Sequence, residues 1–147
     1  MSLMELLTAD MKAAMKQGEK ARLSVIRLVR GAVRQEEIDG KKTLNDDEII
    51  NVIAKEVKMR RDSIEEFERG KRVDLVEKTK AEIDILTSYL PAQLSPDEVK
   101  QIAEKAVAEV GAATAKNMGK VMSVLMPRIK GRADGKLVNE IVRSLLK

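Results

Sequence analysis

Apolar residues recur at spacings of three and four along most of this chain, and the runs are separated by glycine, proline and capping residues. Ser2 and Glu5 form a capping-box pair ahead of Leu3, Leu6, Leu7, Met11 and Met15, which predicts a helix from about Leu3 to Gln17 that stops at Gly18. A second helix turns Leu23, Ile26, Val29 and Val33 inward and ends near Gly40. Asn45 and Glu48 repeat the capping pattern before Ile49, Ile53, Val57, Ile64 and Phe67, with Arg60 completing the row. The third helix is therefore expected from Asp46 to Arg69, broken at Gly70. Asp74 and Glu77 open a fourth, whose Val76, Thr79, Ile83, Leu86 and Leu90 face inward until Pro91.

The stretch PAQLSP, Pro91 to Pro96, cannot continue a helix, so the chain must turn there. Ser95 as N-cap, Pro96 at the first helical position and Glu98 then restart one that carries Val99, Ile102, Ala106 and Val110 and ends at Gly111. A sixth helix from about Lys116 to Met126 is stopped by Pro127. The turn PRIKGRADG follows, and a last helix runs from about Gly135 to Leu146, capped by Asp134, with Val138, Ile141, Val142 and Leu145 inward. No stretch alternates with period two for the length of a strand. The expected fold is all-α: an N-terminal domain of about four helices over residues 1–92 and a C-terminal three-helix module over 95–147.

Composition sharpens this picture. The apolar inventory is aliphatic, with eight Met, Phe67 and Tyr89 as the sole aromatics and no Trp, which suits interleaved helices better than a β-sandwich. Without Cys there are no disulfides or thiolate metal sites. Without a basic leader or an apolar run of membrane-spanning length, the chain reads as soluble and cytoplasmic, with no membrane partner. The net charge of +4 is unevenly spread: +3 over 1–43, −3 over 44–90, −1 over 91–116 and +5 over 117–147. A local excess of that size favours polyanions.

Catalytic chemistry is harder to find. With neither His nor Cys, the commonest general base and the thiol nucleophile are missing, and no glycine-rich phosphate loop is present. Ser24, Ser63, Ser88, Ser123 and Ser144 fall inside expected helices, while Ser2 and Ser95 serve as caps. The acidic triplet Asp46, Asp47 and Glu48 has the ligands for a divalent ion, yet negative charge in a first helical turn is what the helix dipole favours in any case. No catalytic residue, metal ligand or cofactor is assigned. Arg27, Arg30 and Arg34 line the outer side of the second helix as either a solvated face or an auxiliary anion-binding strip. Pairs such as Glu56 with Arg60 and Glu65 with Arg69 support the third helix at i to i+4 spacing.

The densest local chemistry is the bend between the last two helices. Lys120, Arg128, Lys130, Arg132 and Lys136 gather around it, with Lys116 close by. Gly131 and Gly135 allow positive φ, and Gly119 permits close approach of a neighbouring helix. A helix N-terminus opening into such a loop is a ready site for phosphate; the competing reading is a solvated connector. Asn139 stands one turn on, placed to tie down the loop's carbonyls or to touch a ligand.

The run from Met118 to Val142 strongly resembles the YqeY family, as do RLSVIR at Arg22–Arg27, RRDSIEEFERG at Arg60–Gly70 and YLPAQLSPDEV at Tyr89–Val99. MGKVM at Met118–Met122 and KGRADGKLVN at Lys130–Asn139 also resemble the C-terminal tail of GatB, a subunit of tRNA-dependent amidotransferase. GatB tails often carry Asn-Pro where this chain has Asp134 and Gly135. The resemblance implies a helical module that holds tRNA, in a family associated with carbon-nitrogen ligase activity using glutamine. That chemistry lies in parts of the larger machine that have no counterpart here. The expectation is a non-catalytic tRNA-binding accessory protein contacting RNA through Lys120, Arg128, Lys130, Arg132 and Lys136. The alternative is a helical scaffold docking on an aminoacyl-tRNA synthetase or amidotransferase subunit through the mixed-charge face of residues 55–80.

Overall fold

A computed structural model describes residues 1–146. They form seven α-helices and one short 3-10 turn, with no strand among the described residues, so the all-α expectation holds. The helices fall into two compact units, Met1–Leu90 and Pro91–Lys147.

The first unit contains α1 (Leu3–Gln17), α2 (Lys20–Gly40), α3 (Asp46–Arg69) and α4 (Val73–Thr87). Their boundaries follow local chemistry. The Ser2 hydroxyl accepts the Glu5 amide at 3.1 Å, and Gly18 ends α1 at φ +70°, a left-handed conformation that costs glycine nothing. At α3 the capping box is complete, with the Asn45 side chain accepting the Glu48 amide and Glu48 accepting that of Asn45. The acidic triplet serves structure: Asp46 also accepts the Leu3 amide at 3.0 Å, tying α1 to α3, and Glu48 pairs with Lys42. Helix α4 ends at Thr87, a turn before Pro91. The residue before a proline is driven out of the helical region, and Tyr89 and Leu90 close the end with i to i+3 bonds instead.

Leu7, Ile26, Val29, Val33, Ile49, Ile53, Val57 and Leu86 are buried together as the aliphatic core of this unit. Arg60 is nearly buried where α3 packs on α4, bonded to Glu56 at 3.1 Å and placed 3.4 Å from Glu82. A second polar tie joins the end of α4 to α1 and α2. The Tyr89 hydroxyl donates to Asp10 at 2.5 Å, and Arg22 sits 3.6 Å from the same carboxylate oxygen.

The second unit contains α5 (Pro96–Val110), the 3-10 turn Ala115–Asn117, α6 (Met118–Ile129) and α7 (Gly135–Leu145). Val99, Ala103, Ala106, Val121, Leu125, Ile129, Val138, Val142 and Leu146 form its core. Helix α5 packs on both α6 and α7, more extensively than those two pack on each other. The stop expected at Pro127 does not occur, since α6 runs through it to Ile129. Proline removes one backbone bond, to the Ser123 carbonyl, but Leu125 and Ile129 are buried on either side and hold the last turn by packing.

Burial, then the hydrogen bond to Asp10, push the Tyr89 hydroxyl up from 10.0 to about 12. Because the folded value lies above the unfolded one, this contribution to stability is complete below about pH 10, where an unfolded tyrosine titrates, and is lost as pH rises through about 12. Tyr89 is the sole tyrosine and there is no Trp, so ultraviolet absorbance reads its ionisation directly. We expect a titration midpoint of about 12 in the folded chain that falls to an ordinary tyrosine value in denaturant. Tyr89→Phe should cost about 1–2 kcal/mol in chemical unfolding.

Candidate nucleic-acid interface

The bend between α6 and α7 is built by chain that lies almost forty residues earlier. The Leu94 amide donates to the Arg132 carbonyl at 2.7 Å, and the Gln93 side-chain amide donates to the Gly131 carbonyl at 2.8 Å and to that of Pro91 at 2.9 Å. In return, Arg132 Nε donates to the Ala92 carbonyl at 3.3 Å. Gly131 supplies the positive φ of +74° that the turn requires, whereas Gly135 is simply the first residue of α7. These bonds fix a loop that composition alone describes as a connector. Gln93 is the residue that sequence reading missed, because its role is visible only once Gly131 is beside it.

The five cations do different things. Arg128, in the last turn of α6, makes a bidentate pair with Glu109 of α5, at 2.6 and 3.2 Å. This bond holds the Glu109 carboxyl below the usual carboxylate range. Arg132 is half-buried and committed to the Ala92 carbonyl; its charge also helps to lower the Glu98 carboxyl, which is held down first by the Ser95 amide. Lys136 lies in the first turn of α7, where its amide donates to the capping Asp134 carboxylate at 3.3 Å. Lys120 and Lys130 are exposed, and among the described residues neither pairs with a carboxylate. Lys116, in the 3-10 turn, is exposed as well.

Two finer expectations change. A Cβ on Gly119 would meet nothing within 4 Å, so no neighbouring helix approaches it; the residue lies on the exposed side of α6. Asn139 is exposed and, among the described residues, bonds to no carbonyl of the bend. The start of α7 is also a poorer anion site than a bare helix end. The Asp134 carboxylate occupies an amide there and brings a negative charge of its own.

A sequence profile of the family described as Yqey-like protein matches residues 4–146. The chain belongs to that family. Among similar Yqey-like sequences, "Altered inheritance of mitochondria protein 41, mitochondrial" of Pyrenophora tritici-repentis is 33% identical over 146 residues, covering 95% of this chain and 78% of that protein. The protein of the same name from Kluyveromyces lactis is 42% identical over 87 residues, 58% of this chain and 47% of that one. In Saccharomyces cerevisiae strain YJM789 the figures are 35% over 86 residues, 58% and 46%. The match thus spans about half the length of most of these fungal relatives. Their names correct the expectation of a cytoplasmic protein, because they place these relatives of the Yqey-like chain in mitochondria. That expectation rested on a missing basic leader and a missing membrane-spanning run, and the second does not distinguish the cytoplasm from an organelle interior.

Gln93→Ala removes both side-chain donors from the staple. The Leu94 amide should then exchange with solvent faster, while amides in the middle of α5 keep their protection. Stability should fall by about 1 kcal/mol.

Proposed function

We propose that the C-terminal unit holds structured RNA, tRNA in particular, by its phosphate backbone and performs no chemistry of its own. The observation that carries this reading is the stapled bend. It keeps Lys130 exposed on a fixed loop, with Lys120 about 12 Å away along the axis of α6 from the last helical turn. Two ammonium groups without carboxylate partners among the described residues, in a segment of net charge +5, favour a polyanion. Recognition of this kind reads outline and 2′-hydroxyls more than bases. The scarcity of aromatics disfavours single-strand binding, which relies on stacking platforms. The lack of His and Cys, and the resemblance of this unit to the tail of a tRNA-dependent amidotransferase subunit, both support an accessory role.

The arginines enter conditionally. Arg128 must exchange Glu109 for a phosphate, whereas Arg132 serves as the brace of the bend and contributes at a distance.

A second reading has its own observation. Met59 and Val73, exposed by 59% and 66%, stand within the mixed-charge stretch of residues 55–80, where a synthetase or amidotransferase subunit would find apolar contact. Recovery of a protein partner that survives nuclease treatment would favour this scaffold.

The decisive experiment is tRNA binding across a salt series. Affinity should fall with a log-log slope of about −0.7 to −0.9 per phosphate neutralised. Lys120→Glu with Lys130→Glu should weaken binding at least about tenfold, and Glu109→Gln, which releases Arg128, should tighten it. A flat salt response, or a charge-reversed variant that binds as well as the parent, would sink the proposal.

A further inference from the structure

Helix α2 carries a second cationic feature, unrelated to the bend. Arg27, Arg30 and Arg34 project from one face at spacings of three and four, and they line a cleft of about 680 Å³ between α2, the N-terminal end of α1 and the start of α3. Among the described residues none of the three forms an ion pair. The two carboxylates at the rim are already engaged with backbone: Glu37 accepts the Leu44 amide at 2.9 Å and Asp46 that of Leu3.

Arg30 is the most telling of the three. Its Nε is buried without a hydrogen-bond partner, and one terminal nitrogen has only the Met11 thioether, a weak acceptor, at 3.0 Å. A guanidinium has five donors in a rigid fork, and since Nε is closed off from solvent a ligand in the cleft is left the terminal nitrogens.

Gly31 supplies an independent observation. It sits in the interior of α2, where glycine is a poor helix former, yet a Cβ there would meet nothing within 4 Å and φ is not positive. The chain's own packing and backbone conformation give no reason for glycine at this position. What its missing side chain does is leave open the wall of the cleft between Arg30 and Arg34. The remaining wall includes Met4 and Ile49, so the cavity pairs a cationic side with an apolar one.

We propose that this cleft is a binding site for a small amphiphilic oxyanion, with a phosphate or carboxylate head on Arg27, Arg30 and Arg34 and an apolar body against Met4 and Ile49. The volume lies within the range of about 300–1,000 Å³ usual for small-molecule sites. A carboxylate or phosphate head matches the guanidinium fork in a bidentate manner, and the excess of three cations over two engaged carboxylates is met by a single negative charge. Gly31 lets the ligand approach the helix backbone.

The test follows the arginine Nε–H resonances of the full chain by NMR during titration with octyl phosphate, octanoate, inorganic phosphate and octanol. Both amphiphiles should shift the Arg30 Nε–H signal, with inorganic phosphate and octanol at least about tenfold weaker. Arg27→Gln with Arg34→Gln, and separately Gly31→Leu, should each weaken octyl phosphate at least about tenfold. Both variants should keep the parent's helical circular dichroism, since the arginines carry no ion pair and Gly31 faces open space. An unmoved Arg30 signal, or unchanged affinity in Gly31→Leu, would overturn the site. Equal binding of inorganic phosphate would overturn its amphiphilic character. Anionic phosphatidic-acid vesicles that retain the chain only while the arginines are intact would identify the head as a lipid's and overturn a free ligand. Competition of tRNA with octyl phosphate for the Arg30 signal would reassign the row to RNA.

Discussion

The peptide bond between Gln93 and Leu94 governs the C-terminal unit. Its amide donates to the Arg132 carbonyl, and the neighbouring Gln93 side chain reaches Gly131, so the approach to α5 and the exit from α6 become one structure. Helix α5 is the common partner of α6 and α7, and locking its entry to their junction fixes where α6 ends and α7 begins. A loop tied to the chain before α5 by three hydrogen bonds loses most of its conformational freedom before any ligand arrives. That is the condition under which exposed charge can be presented in a defined place.

Electrostatics then divides the basic residues by what they already touch. Arg128 and Arg132, the planar and most strongly directional groups, are drawn into the protein's own acceptors. Lys120 and Lys130, compact and strongly hydrated, are left outside. On the cleft side of α2 the outcome is the reverse: Arg27, Arg30 and Arg34 pair with no carboxylate among the described residues, while Glu37 and Asp46 are held by backbone amides. Local net charge conceals this difference. The segment with the larger positive excess is the one in which more of the guanidinium groups are internally satisfied.

How much was legible in the sequence depended on the range of the interaction. Ser2, Asn45 and Ser95 announce helix starts because a cap bonds within three residues of itself, and the apolar spacing of Val121, Leu125 and Ile129 is likewise local. Pro127 misled because the cost of a missing amide is local, whereas the burial that offsets it belongs to the whole unit. Gly119 and Gly31 are chemically the same signal, and only their surroundings separate an idle glycine on an open surface from one that lines a cleft. The fate of Arg128 was equally hidden, since Glu109 lies nineteen residues away and on another helix.

Pro127 has one more effect on the molecule. With no amide at that position, the Ser123 carbonyl cannot receive its usual helical bond, and the final turn of α6 is held by the almost wholly buried Ile129 together with the Lys130 amide on the Met126 carbonyl. Lys130 follows immediately after that anchor. The aim of the charged tip therefore depends on a seated hydrocarbon wedge on one side of Lys130 as well as on the polar staple on the other.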